Sequence, residues 1–225
     1  TPDPGIPQYL ETTYWWAYLH PNAVRFFERE WLVNLILWGN FGRLRGLALA
    51  ELSPASDQEV LQIACVYGDF TQQIAARLGK AATLDVIDVA PIQLDNLRAK
   101  IPADPRIRLH RQDSSQLNFA SESFNSTLLF FLLHEQPEAV RRATLAEALR
   151  VTRPGGKVII VDYHNPRRNN PLRYVMNPIL KTLEPFAHDL WQHEIESYLP
   201  ANRKIVELSK STYFGDLYQK VVIKR

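Results

Sequence analysis

The chain has 225 residues, 46% of them hydrophobic and 22% charged, the balance of a soluble globular protein. Its 26 basic and 24 acidic side chains leave a net charge of +2, which argues against broad nucleic-acid binding. Cys65 is the only cysteine, which excludes an internal disulfide and a Cys-based zinc site and suits a reducing compartment.

No apolar run reaches the roughly 18–20 residues that span a bilayer. The chain begins at Thr1, which leaves room for an upstream targeting or anchoring segment. With no Pro/Gly/Ser-rich linker in its middle, 1–225 reads as a single domain, with an aromatic, helical segment at 1–52 and a lid-like insertion at 165–200.

Residues 1–20 are Pro-rich (Pro2, Pro4, Pro7) and then aromatic (Tyr14, Trp15, Trp16, Tyr18), an irregular or short-helical start. Residues 22–51 read as a helix with Val24, Phe27, Trp31, Leu35 and Trp38 on one apolar face, interrupted near Gly39 and Gly42. Val60 to Ala64 is a strand ending in a turn at Tyr67-Gly68-Asp69, followed by a helix through Ile74, Ala75 and Leu78. Leu84 to Ile87 is a strand ending at Asp88, and Pro91 opens the next helix. Residues 106–110 and 124–131 are strands. Pro137 opens a helix through Leu149, Pro154-Gly155-Gly156 is a turn, and Lys157 to Asp162 is a strand. This alternation predicts an α/β fold with a parallel sheet covered on both faces. Residues 204–210 and 216–224, joined by only Ser211 to Gly215, predict a closing antiparallel hairpin.

Ligands of such sheets sit at the carboxyl ends of the strands. Asp88 ends its strand 20 residues beyond Gly68, where a carboxylate accepts from both hydroxyls of a ribose; the alternatives are a helix cap ahead of Pro91 or a solvated acid. Asp113 suits an exocyclic adenine amine or an ordinary Asx turn.

The run Val60 to Thr71, Asp88, Gln112-Asp113, Ser123-Phe124-Asn125, and Leu149-Arg150-Val151-Thr152-Arg153-Pro154-Gly155-Gly156-Lys157 resembles the motif series of class I methyltransferases. Quinone and small-molecule C-methyltransferases are nearest. The resemblance implies a Rossmann-like, mostly parallel seven-stranded sheet ending in an antiparallel hairpin. It also implies an S-adenosylmethionine site drawn from Ala64, Tyr67, Gly68, Asp88, Val89, Asp113, Ser114 and Phe130. The chain departs from that series in its first turn. An acid and Gly-x-Gly-x-Gly are usual, whereas here stand Gln62, Ala64, Val66 and Gly68; Asn125 replaces a common aspartate.

A narrower resemblance rests on Tyr14 to Pro21, Glu30 to Asn40, Val66-Tyr67-Gly68-Asp69, Val161-Asp162-Tyr163-His164, Pro171-Leu172-Arg173 and Leu183-Glu184-Pro185-Phe186. These segments are similar to the rhodoquinone biosynthesis proteins (RquA). That resemblance implies conversion of ubiquinone to rhodoquinone: a ring methoxy is replaced by an amine, with S-adenosylmethionine as amino donor and Mn(II) assisting.

An attacking amine must be neutral, so a base helps. Asp69, His134, Tyr163 and His164 are the candidate catalytic residues, and Asp69, Glu135 and His164 are weak candidate metal ligands. His134 has an alternative as a strand cap, and Glu135 as an acid ahead of the helix begun by Pro137.

A lipid quinone must be met at a bilayer. Residues 165–183 carry Arg167, Arg168, Arg173 and Lys181 and no acid. Leu172, Val175, Met176, Ile179, Leu180, Leu183, Phe186 and Leu190 recur at helical spacing, divided near Asn177-Pro178 and Glu184-Pro185. This segment reads as a peripheral membrane contact through 165–190 or as a lid packed on the core. The expected location is the cytoplasmic or mitochondrial matrix side of the inner membrane. Two other readings stay open: a conventional methyltransferase of a quinone or small apolar molecule, and a non-catalytic binding module.

Overall fold

The computed structural model describes residues 5–53, 57–202 and 205–225. Pro2, Pro4 and Lys204 lie outside these described residues. The chain forms two compact units, Thr1–Ser114 and Ser115–Arg225.

The first unit begins with a widely wound helix, Leu10–Leu19, then α1 (Pro21–Phe27), α2 (Glu30–Ile36) and α3 (Phe41–Leu49). An alternating series follows: β1 (Glu59–Ile63), α4 (Phe70–Arg77), β2 (Thr83–Asp88), α5 (Pro91–Lys100) and β3 (Ile107–Arg111). β1 pairs with β2 and β2 with β3 in parallel, setting Ile63 opposite Ile87 and Asp88 opposite Arg111. Val60, Leu61 and Ile63 are all buried, as expected of a parallel strand covered on both faces. Pro91 stands at the first turn of α5, where its missing N–H costs nothing.

The helix expected over 22–51 is three helices. Arg29 is extended (φ −72°, ψ 106°) and breaks the first from the second; Gly39 at φ +76° follows the second, and Gly42 lies inside α3. These breaks also divide the expected apolar face. Val24 is buried, whereas Trp31, Leu35 and Trp38 are 60%, 64% and 41% exposed.

The second unit holds β4 (Phe124–Phe130), a short helix Leu133–Glu135, α6 (Glu138–Val151) and β5 (Thr152–Tyr163). Then come α7 (Leu172–Leu183), α8 (Pro185–Leu190), a short helix Ile195–Tyr198, β6 (Glu207–Tyr213) and β7 (Tyr218–Lys224). β4 and β5 are parallel; β7 runs antiparallel to both β5 and β6. The β6–β7 turn uses three left-handed residues, Phe214, Gly215 and Asp216. The Pro154-Gly155-Gly156 turn is an irregularity inside β5, where the register against β4 shifts. A Cβ on Gly156 would stand 2.7 Å from the Asn125 carbonyl oxygen, so only glycine fits. Pro178 lies within α7 without ending it, and the break comes at Glu184-Pro185.

The seven strands run in the order β3-β2-β1-β4-β5-β7-β6, a mostly parallel sheet closed by an antiparallel hairpin. Among the described residues no helix is long and apolar enough to cross a membrane.

Candidate functional site

The turn after β1 is held from within. Gln62, buried where relatives of the motif carry an acid, donates to the Ala64 carbonyl (2.9 Å) and accepts from the Thr71 hydroxyl (2.9 Å). Ala64 itself sits at φ +74°, a region that strains a side-chain-bearing residue and that glycine enters freely.

One step away, the Asp88 carboxylate accepts from the Cys65 amide on one oxygen and the Ala90 amide on the other, each at 2.9 Å. Burial raises its pKa to about 6 against those amides, which lower it. No cation pairs with it among the described ion pairs. The Val89 amide and the Cys65 thiol also donate to it, so every donor on this carboxylate is neutral and a ligand diol would have to replace the weaker of them. Val89 follows Asp88, and the Gln112 amide donates to the Asp88 carbonyl (3.1 Å), which brings the loop bearing Asp113 and Ser114 to the end of β2.

Tyr67 fills the rest of the turn. Its hydroxyl donates to the Ala17 carbonyl (3.0 Å) and accepts from Gln93 (3.0 Å), while its ring stacks on Tyr18 and Phe27. The Gly68 amide donates to Glu28 (3.0 Å), which also holds Asn96 and Lys100. The aromatic N-terminal segment is therefore one wall of this turn. Asp69, the candidate base, is tied to Arg45 on one oxygen and to Gln73 (2.8 Å) on the other. That arrangement anchors α4 and α3 and gives Asp69 a structural use.

In the second unit, Phe130 is the buried last residue of β4. Past it, His134 and Tyr163 come together, their rings 4.9 Å apart edge to face. His134 Nδ1 lies 2.8 Å from Asp162, which accepts also from the amides of Leu133, His134 and Tyr163. An ionised Asp162 only accepts, so Nδ1 carries a proton. Burial pulls the His134 pKa down, but the charge and hydrogen bond of Asp162, with Glu184 and Glu135 beyond, raise it to about 9. Nε2 lies 3.7 Å from both Glu135 and Glu184. Burial raises the Glu184 carboxyl, with His134 opposing. Tyr163 is pushed well up by burial and by Glu184.

His164 is held differently. Its ring nitrogens face the Asp216 carbonyl (2.9 Å) and the Lys210 ammonium (3.0 Å), so Nδ1 donates and Nε2 accepts. Both nitrogens are thereby occupied in fastening the hairpin. Among the described residues no group of three or more His, Cys, Asp or Glu side chains is gathered to hold a metal ion. The manganese that the resemblance implied thus has no gathered ligand set among the described residues.

Sequence reasoning missed Asp162, Glu184 and Arg141 as working residues. An acid closing the apolar run Val158–Val161 was itself a signal, since a buried carboxylate needs partners. Glu184 read only as a helix breaker beside Pro185. Arg141 is fully buried; it donates to the carbonyls of Leu133, Gln136 and Phe186, to Asp189 and to the Tyr198 hydroxyl, all within 2.8–3.0 Å. It fastens α8 and the short helix at Ile195–Tyr198 to the segment bearing His134, and the helical pattern of α6 gave no hint of that.

Residues 60–156 match the family described as Methyltransferase domain. The chain is 26% identical over 141 residues to the ubiquinone/menaquinone biosynthesis C-methyltransferase UbiE of Geotalea daltonii, covering 61% of this chain and 59% of that protein. It is 28% identical over 162 residues to the demethylmenaquinone methyltransferase of Tropheryma whipplei, covering 68% and 65%. It thus spans less than two thirds of the length of either relative. Among solved structures, an O-methyltransferase family protein from Burkholderia thailandensis superposes with a TM-score of 0.68 at 17% identity, over 90% of this chain and 59% of that one. The N-methyltransferase NodS from Bradyrhizobium japonicum, solved with S-adenosyl-L-homocysteine, superposes with a TM-score of 0.60 at 15% identity, over 91% and 97%. The chain therefore has the Rossmann-like class I methyltransferase fold, and residues 60–156 are the part similar to the Methyltransferase domain family.

Proposed function

We propose that this protein is an S-adenosylmethionine-dependent methyltransferase acting on a quinone-type ring or a similar small apolar molecule. The observation that carries the reading is Asp88: an acid at the carboxyl end of β2, held by backbone amides and the Cys65 thiol and paired with no cation among the described ion pairs, at the place where a vicinal diol is bound in such sheets. The residues around it fit the cofactor. Asp88 takes the ribose hydroxyls, Val89 lies beside them, and Asp113 and Ser114 follow on the neighbouring loop. Bound there, S-adenosylmethionine supplies an electrophilic methyl group on a sulfonium. The chain's part is to fix that group, exclude water and hold the acceptor ring. The relatives named as menaquinone and ubiquinone methyltransferases support a quinone-type acceptor.

A second reading, amino transfer in forming rhodoquinone, is favoured by the first turn. Ala64 is held left-handed and Tyr67 is locked to the N-terminal segment, so the methionine end of the cofactor meets different walls than three glycines offer. A lipid quinone also implies work at a bilayer on the cytoplasmic or matrix side. The exposed Tyr174, Val175, Ile179 and Leu183 of α7 supply an apolar face for that contact.

One experiment separates the readings. A short-chain ubiquinone and its demethylated, demethoxylated precursors are incubated with the protein and S-adenosylmethionine labelled with nitrogen-15 at the amine, with and without Mn(II). Mass spectrometry finding a product heavier by one methyl and free of label is the expected result. Label in an aminoquinone establishes the second reading instead. No product from any of these rings overturns both.

A further inference from the structure

We propose that His134 and Glu184 form a binding site for an acidic hydroxyl of the phenol or enol class, and that Glu184 takes its proton. The proposal deepens the methyl-transfer reading and rests on it for its place in the reaction, since an electron-rich ring carbon needs its hydroxyl ionised.

Glu184 Oε2 is buried and makes no hydrogen bond. It lies 3.7 Å from His134 Nε2, beyond hydrogen-bond reach, although the Glu184 side chain keeps 28% of its exposure. A buried acceptor left unsatisfied is costly, and such atoms in a native structure mark a missing partner. His134 cannot turn to meet it. Its Nδ1 is fixed by Asp162, which is itself saturated by three backbone amides.

A ligand hydroxyl resolves both groups at once. Its hydrogen goes to Glu184 Oε2, and its oxygen accepts from Nε2–H of His134. The rings of Phe131 and Tyr163, at 5.9 and 4.9 Å from the imidazole, give a planar ligand aromatic edges to pack on. The hydroxyl of Tyr218, whose ring lies 5.7 Å from that of Tyr163, is also buried without a hydrogen-bond partner and offers a further polar contact. The charged groups facing His134 are Asp162, Glu135 and Glu184; those facing Glu184 are His134 and Asp162.

In the step itself the ligand O–H bond breaks and the proton moves to the Glu184 carboxylate. The electron pair stays on the ligand oxygen, opposite the His134 imidazolium. When S-adenosylmethionine is bound, the ring carbon would form its C–CH3 bond as the sulfonium S–CH3 bond breaks; the hydrogen on that carbon leaves as a proton to solvent, the Glu184 proton returns to the ligand oxygen, and Glu184 is again a carboxylate. Glu184 stands at the break between α7 and α8, held there by the hydrogen bonds of Arg141 to Phe186 and Asp189, so the lid supplies the base.

The test uses the full chain and 4-nitrophenol, without cofactor. The ionised and neutral forms of this probe absorb at different wavelengths. Bound to wild type below its own pKa, the probe shows at least a roughly tenfold larger ionised fraction than in free solution. In Glu184→Gln it binds in the neutral form. Glu184→Asp, which keeps the carboxylate, recovers part of the ionised band, and His134→Gln weakens binding. A phenolate band unchanged in Glu184→Gln, or no binding by wild type, overturns the proposal. S-adenosylmethionine is absent from this assay, so its failure to stabilise the protein thermally would count against the methyltransferase reading alone.

Discussion

Asp88 and Asp162 occupy equivalent places, each an acid closing or nearly closing an apolar strand, Asp88 half-buried and Asp162 buried, and they are used in opposite ways. Asp162 takes three backbone amides and an imidazole, which saturates it. Asp88 takes the amides of Cys65, Ala90 and Val89 and the Cys65 thiol, with no cation among the described ion pairs, and burial raises its pKa to about 6 against those donors. An acid bound to a buried cation positions that neighbour, whereas one held by neutral donors alone keeps its charge for a ligand. The strand-end address alone does not distinguish them; the presence of a cationic partner does.

The largest expected effects come from disturbing the Asp162 side. Asp162→Asn removes the charge partner of a buried imidazolium, and losing one member of such a pair costs about 3–5 kcal/mol, read from urea unfolding. Arg141→Met leaves three carbonyls and Asp189 without their donor and should cost a similar ~3–5 kcal/mol. Limited proteolysis should then cut first within 165–200. If either variant unfolds like wild type, these networks are decoration and the contrast with Asp88 fails.

On the other side the effect falls on binding. Asp88→Asn should keep the fold but lose about 1.5–3 kcal/mol of S-adenosylmethionine affinity, the scale of a hydrogen bond to a charged group. A raised folded-state pKa makes the apoprotein gain stability from Asp88 as pH falls from 7 through about 6 toward 4. The His134 pair is present below the unfolded pKa near 6.5 and is lost as pH rises through about 9. Stability of Asp88→Asn and His134→Gln against pH, compared with wild type, separates the two contributions.

The smallest effect is local. Ala64→Gly removes the strain of a left-handed alanine, roughly 1–2 kcal/mol less the entropy of a glycine in the unfolded chain. It should raise the melting temperature slightly if the Ala64 backbone is as strained as its φ implies. A melting temperature that falls would mean the methyl packs usefully.

Much of the fold was legible because continuous apolar runs between turn residues signal covered parallel strands, as at Val60 to Ile63 and Leu84 to Ile87. The hairpin was legible from its short link, although Ser211 to Tyr213, read as part of that link, continue β6 and the turn runs from Phe214 to Leu217. Helix continuity over 22–51 was misread because apolar spacing persists across Arg29, whose extended backbone no side-chain pattern announces. In the site, Asp88 stood out by its place after a strand and its distance from Gly68. Glu184 did not, because its meaning depends on His134, far away in the chain, and on a break in the lid that reads as ordinary punctuation. Asp69 drew attention through its motif, and the structure gives it Arg45 and Gln73 as partners.

The most direct test of the central claim is calorimetric titration of S-adenosylmethionine into wild type and Asp88→Asn between pH 5 and 8. A ribose held by the ionised Asp88 predicts wild-type affinity that is flat above about pH 6 and falls toward tenfold per unit below it, while Asp88→Asn binds weakly and without that dependence. Equal affinities for the two proteins across the range would contradict the account.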